Sequence, residues 1–146
     1  MNVDPRILGY LHRALGHEMT AVQHYLTQSK LCGMWGMQDI CNHFREDVQA
    51  ELKHADWLIE RMLSVGVTPN ASQLAPARVG RTFEDMLDIN RVLELDAVRI
   101  YQDAVDYCVR RGEHEFRDFF ARILAEEVEH VRELEVMRSQ LKQQRA

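Results

Sequence analysis

The chain has 146 residues, about the size of one ordinary domain, with 46 % apolar and 28 % charged residues, a balance that suits a soluble globular fold and argues against disorder. Net charge is −5, from 18 basic and 23 acidic residues, and no basic patch stands out, so nucleic acid is not an expected partner. No apolar run has signal-peptide or membrane-span length, and the three cysteines, Cys32, Cys41 and Cys108, lack CxxC spacing; they read as reduced thiols in a cytoplasmic protein.

Apolar spacing predicts an all-α fold of four long helices, over about residues 4–33, 37–65, 82–111 and 113–141. Asp4-Pro5 is a start signal, with Asp as N-cap and Pro at the first helical position. Leu8, Leu11, Leu15, Val22 and Tyr25 then form one stripe, with Glu18 inside it. Gly33 to Gly36 is the first turn. The second stripe is Phe44, Val48, Ala55, Leu58 and Met62, with Glu51 inside it.

Periodicity is lost over about 66–82, where Gly66, Pro69, Asn70, Ser72, Pro76 and Gly80 fall. A connection of that length needs a reason, and a crossover along a bundle is one. At ~3.3 Å per residue it reaches about 55 Å, while a helix of ~28 residues is only about 42 Å long. The third helix opens at Thr82 with Asp85 as a partial capping box. Its stripe is Phe83, Leu87, Asn90, Ala97, Tyr101, Ala104 and Cys108, with Glu94 in the middle, and Arg110-Arg111-Gly112 closes it. The fourth carries Phe116, Phe120, Ile123, Leu124, Val131 and Leu134 around Glu127. The polar tail from Gln140 is expected to fray.

Six residues inside these stripes form a pattern that occurs twice. Glu18 is followed 33 positions later by Glu51 and then by His54; Glu94 is followed 33 positions later by Glu127 and then by His130. The two sets are offset by 76 residues throughout, as two helical hairpins related by a pseudo-two-fold axis would be. Within each hairpin the three residues lie at similar distances from the turn, so they reach one height near mid-bundle. Four carboxylates and two imidazoles so placed are the ligand set of a two-metal carboxylate site in a four-helix bundle.

The charge argument is direct. An ionised carboxylate in an apolar stripe costs several kcal/mol to bury, and four would repel one another. Two divalent cations cancel their charge. Glu51 and Glu127 are expected to bridge the ions, with Glu18, Glu94, His54 and His130 as terminal ligands. Oxygen and nitrogen donors together suit iron, with manganese or zinc as substitutes. Tyr25 lies two turns after Glu18 and is read as an electron donor or hydrogen-bonding partner at the metals, while Tyr101 reads as a core tyrosine. Asp47 and Asn90 lie one turn before ligands and are candidates to orient them. The other histidines, His12, His17, His24, His43 and His114, are expected on solvated faces.

These features resemble bacterioferritin over residues 1 to about 140. The likeness rests on the ligand set, Tyr25, the Trp35-Gly36 turn, His54-Ala55-Asp56 with Ile59-Glu60-Arg61, and Leu93-Glu94-Leu95-Asp96. It implies a ferritin-like four-helix bundle with a long crossover between helices 2 and 3. It also implies a di-iron ferroxidase centre that oxidises Fe²⁺ with O₂ or H₂O₂, and storage of Fe³⁺ in a homo-oligomer, a two-fold dimer built up to a 24-subunit cage. Three departures from the family are present. Leu52 stands where the family has its haem-ligand methionine, so haem is not expected, although a mixed oligomer with haem-bearing subunits stays open. Glu46 and Ala50 replace the His and Asp of an inner-surface iron site. A fifth helix is not expected. Leu26, Leu31, Leu52, Trp57 and Ile59 lie off the core stripes and suggest a dimer face. Two rivals are a di-iron peroxidase or oxygenase with a stable cofactor, and a non-haem partner subunit of a mixed bacterioferritin.

Overall fold

The computed structural model describes residues 2–144. Four α-helices account for its regular structure, α1 (Pro5–Met34), α2 (Gln38–Ser64), α3 (Phe83–Arg111) and α4 (His114–Gln144), with no strand among the described residues. The chain divides into two compact units, Met1–Val79 and Gly80–Ala146. Each is a pair of packed helices, α1 with α2 and α3 with α4.

In the first unit the Asp4 carboxylate accepts a hydrogen bond from the Arg6 amide at 2.8 Å, satisfying one of the donors left open at a helix start. Gly36 reverses the chain with φ +79°, in the left-handed region that favours glycine. Ile7, Leu11, Leu15 and Tyr25 of α1, with Phe44, Leu58 and Met62 of α2, are almost fully buried; each contributes roughly 1.5–3 kcal/mol of transfer free energy. Ser29 Oγ donates across the hairpin to the Cys41 carbonyl at 3.0 Å. Burial, and then Cys41 nearby, push the Cys32 thiol above its usual range, so it stays protonated.

Residues 67–80 have no regular structure, yet side chains of α1 hold their second half. Thr20 Oγ1 accepts from the Ala75 amide at 3.2 Å, His24 Nδ1 accepts from the Arg78 amide at 3.3 Å, and Gln28 Nε2 donates to the Arg78 carbonyl at 3.2 Å. Gly16 begins the same row, where an added Cβ would lie 3.8 Å from the Gln73 carbonyl oxygen. Spacing by four puts these residues on one helix face. His24 is therefore not on a solvated face as expected; it is buried, with Nε2 also 2.9 Å from Gln28 Nε2. The row reads as polar in sequence, because its partners are backbone groups some 50 residues away.

In the second unit Thr82 Oγ1 accepts from the Asp85 amide at 3.0 Å, and Asp85 Oδ2 accepts from the Arg81 amide at 3.0 Å. The return bond thus goes one residue before the cap, a shifted capping box. Gly112, with φ +69°, ends α3, and the Glu113 amide donates back to the Cys108 carbonyl. The Arg138 guanidinium donates to Glu84 at 2.7 Å and Asp88 at 3.0 Å, tying the end of α4 to the start of α3. Met86, Leu87, Tyr101, Phe120 and Ile123 are buried. Helix α4 runs to Gln144, past the expected 141. The tail is polar, but Gln and Lys are good helix formers, and extending a formed helix carries no nucleation cost.

Candidate metal centre

Each unit carries one Glu, Glu, His triad, buried except for a partly exposed His130. In the first, Glu18 stands on α1, while Glu51 and His54 stand one turn apart on α2. The His54 Nδ1 atom lies 3.5 Å from Glu18 Oε2 and 3.9 Å from Glu51 Oε2, and these side chains are at most 1 % exposed. In the second, Glu94 stands on α3, with Glu127 and His130 one turn apart on α4. There His130 Nδ1 lies 3.7 Å from Glu94 Oε2 and 3.8 Å from Glu127 Oε2. The sealing differs: the His54 side chain is fully buried and that of His130 is 16 % exposed.

The helices explain these placements. In each triad the Glu–x–x–His pair shares a face because i and i+3 are neighbours. The lone Glu comes from the partner helix of the same hairpin, at matching height. All six ligand-type residues fall within the apolar stripes that bury their helices.

The spacing fits donors that share an ion. Two ligand atoms about 2.1 Å from one cation, at about 110° to each other, lie about 3.4 Å apart, and wider angles give up to about 4.2 Å. The separations of 3.5 to 3.9 Å fall in that range and are longer than ordinary hydrogen bonds. In each unit all three residues offer ligand atoms within 4.8 Å of one another.

The electrostatics point the same way. The Glu94 carboxyl is pushed up to about 7, first by burial and then by Glu127, while His130 opposes the rise. A carboxyl held there loses its proton readily to a cation of higher charge, which favours the ionised form. Two carboxylates and a neutral imidazole make an oxygen-rich site that suits iron or manganese and admits zinc.

The remaining candidates sort by position. Tyr25 is buried, with its ring 6.0 Å from that of Phe44 and edge-on to His24. Tyr101 is its counterpart in the second unit, buried beside Phe120. Asn90 is fully buried one turn before Glu94, whereas Asp47 is half-buried and faces His43 at 3.7 Å. The residue that sequence reasoning did not connect with the site is Trp57. Its ring centroid lies 5.7 Å from that of His54, and the Lys53 ammonium stands 5.1 Å over the indole. The signal was legible: Trp57 is three residues after His54 on a helix, one turn along the same face. Leu26 and Leu52, read as part of a dimer face, are 43 % and 39 % exposed.

Comparison with known proteins agrees in kind. The ferritin-like domain family matches residues 8–143. The chain is 32 % identical to a bacterioferritin of Rhodobacter capsulatus over 135 residues, 92 % of this chain and 84 % of that one. It is 32 % identical to a bacterial ferritin of Synechocystis over 126 residues, 86 % of this chain and 81 % of that one. A bacterioferritin of Brucella melitensis is 30 % identical over 135 residues, covering 92 % and 84 %. No helix among the described residues is long and apolar enough to cross a membrane.

Proposed function

The chain belongs to the ferritin-like family, with bacterioferritins among its relatives, and from that premise we propose that it oxidises Fe²⁺ at a two-ion centre and retains the Fe³⁺ product in an oligomer. The observation that carries this reading is the pair of Glu, Glu, His triads, one per hairpin, with all four carboxylates buried and the sequence spacing identical.

The two hairpins are taken to form one four-helix domain that brings the triads together. Glu18 and Glu94 are then terminal ligands, His54 and His130 each add one nitrogen, and Glu51 and Glu127 bridge. Four carboxylates balance two divalent cations, so burial of the acids is relieved when the ions bind. Fe²⁺ is the substrate, and O₂ or H₂O₂ takes its electrons. The protein residues hold the ions close in a dry, apolar setting, and Tyr25, buried two turns from Glu18, stands ready to give an electron or a hydrogen bond. Leu52 offers no donor atom, so haem is not held at that position. The oligomer is proposed to start from a two-fold dimer through Leu26, Leu52 and their neighbours, and to work in the cytoplasm.

The test is anaerobic Fe²⁺ titration of the purified protein, followed by addition of O₂ or H₂O₂. Two high-affinity Fe²⁺ ions per chain and rapid oxidation are expected. Glu18→Ala and Glu94→Ala should each cut the initial oxidation rate at least tenfold. Unchanged oxidation in both variants would remove the centre from the reaction.

A further inference from the structure

The segment that follows α2 has no side chain of its own that changes charge near neutrality. Between residues 67 and 80 there is no Asp, Glu, His, Lys, Cys or Tyr, and the one ionisable group, Arg78, stays cationic throughout. The anchors of this segment on α1 are Thr20, His24 and Gln28, and of these only the imidazole of His24 titrates. We propose that His24 is a pH-sensitive latch: the neutral ring holds residues 75–79 against α1, and the imidazolium releases them.

The count of hydrogens at the ring makes the latch. The Arg78 amide meets His24 Nδ1 at 3.3 Å and can only donate. Gln28 Nε2 lies 2.9 Å from His24 Nε2 and 3.2 Å from the Arg78 carbonyl oxygen. A neutral imidazole has one N–H and one acceptor nitrogen. With its hydrogen on Nε2, the Arg78 backbone is gripped twice, at its amide by Nδ1 and at its carbonyl by Gln28. A second proton goes onto Nδ1 and leaves the ring no acceptor. Two N–H groups then face each other across 3.3 Å, and the Arg78 amide loses its partner. Gln28 can satisfy the charged ring only by turning its side-chain oxygen to Nε2–H, which gives up the Arg78 carbonyl as well.

The surroundings favour the neutral ring. His24 is 2 % exposed and Gln28 is fully buried, so a charge placed there is poorly solvated. On α1 the titratable neighbour is Tyr25, edge-on with ring centroids 5.6 Å apart. On the crossover it is Arg78, a cation with an exposed side chain. Neither is an acid that would hold an imidazolium. Helix α2 meets this part of α1 through Phe44, which packs on Tyr25 and is uncharged; the adjoining His43 and Asp47 face each other at 3.7 Å. Release also changes a surface. Val79, one residue past the latch, lines an apolar groove with Leu26, Leu31 and Met34 of α1, and the freed segment takes that wall with it. The hold is full at pH 7.5 and fades as acid adds the second proton, in the range below about 6.5 where imidazole titrates.

The test is amide hydrogen exchange of the purified full-length protein, read by mass spectrometry on peptides over 70–80 and corrected for the intrinsic rate at each pH. Protection of 75–79 should fall at least fivefold between pH 7.5 and pH 5 in the parent. In His24→Asn, whose side-chain oxygen can accept from the Arg78 amide but takes up no proton, protection should stay level over the same range. A second measurement needs no variant. Slow exchange of the carbon-bound hydrogen between the two nitrogens of the His24 ring, followed over days against pH, gives the titration midpoint of that ring. The midpoint should lie below the ~6.5 of free histidine, with tenfold of lost protection for each pH unit of the difference. Protection that is the same at both pH values in the parent, or that falls equally in His24→Asn, overturns the latch. So does a His24 midpoint no lower than that of free histidine.

Discussion

Glu94→Gln isolates the electrostatic argument in one side chain. Its carboxyl is held at about 7, against an ordinary 4.5. Over that span the folded, metal-free protein keeps a proton that the unfolded chain gives up. Stability from this group is therefore fully present below about 4.5 and is lost as pH rises towards 7 and beyond. At 1.36 kcal/mol per tenfold change in proton affinity, the loss is about 3 kcal/mol. For a protein of this length that corresponds to about 10 °C in melting temperature. Glutamine has no proton to lose. Under chelator at pH 8 the variant should melt about 10 °C above the parent, and its melting temperature should stay flat between pH 4.5 and 7 where that of the parent falls. Added Mn²⁺ at pH 8 should raise the parent more than the variant, because the amide is a poor ligand and one of the two ions loses its terminal carboxylate. Calorimetry across pH, with and without the ion, reads all of this. A variant that melts no higher than the parent at pH 8 and follows the same slope would refute the claim that buried charge is what the ions relieve.

Three further outcomes follow from the fold. Gly80→Ala places a Cβ 2.9 Å from the Asp85 Cβ at φ +69°, and should cost about 1–3 kcal/mol by denaturant unfolding; no measurable loss would contradict the geometry. Thr82→Ala removes the bond to the Asp85 amide and should cost about 1 kcal/mol, checked by the same method. His24→Leu removes the acceptor of the Arg78 amide and the contact with Gln28, so amide exchange over 75–79 should speed up severalfold while exchange in α3 and α4 is unchanged.

Periodic signals were readable without coordinates, and distant ones were not. The stripes through Glu18, Glu51, Glu94 and Glu127 follow from helical spacing, and the structure buries all four acids in their stripes. The Thr82 cap and the Gly112 stop are local in sequence and lie where their residue types suggest. His24 was misread because its partner Arg78 is 54 residues away, and nothing near His24 in the chain announces it. Trp57 was noticed only as an apolar residue off the core stripe. Its position one turn past His54 was available, but a tryptophan beside a histidine has no motif to mark it. The tail beyond Gln140 was judged by polarity, whereas helix continuation depends on propensity and on the turns already formed.

The row of side chains from Thr20 to Gln28 also decides where the polypeptide tolerates interruption. Anchorage falls on Ala75 and Arg78, while Thr68, Asn70 and Ser72, just upstream, are exposed. New termini or a short inserted peptide near Asn70 would leave the anchored stretch seated on α1. A reporter tag spliced there would ride on the surface without loosening the segment that follows it.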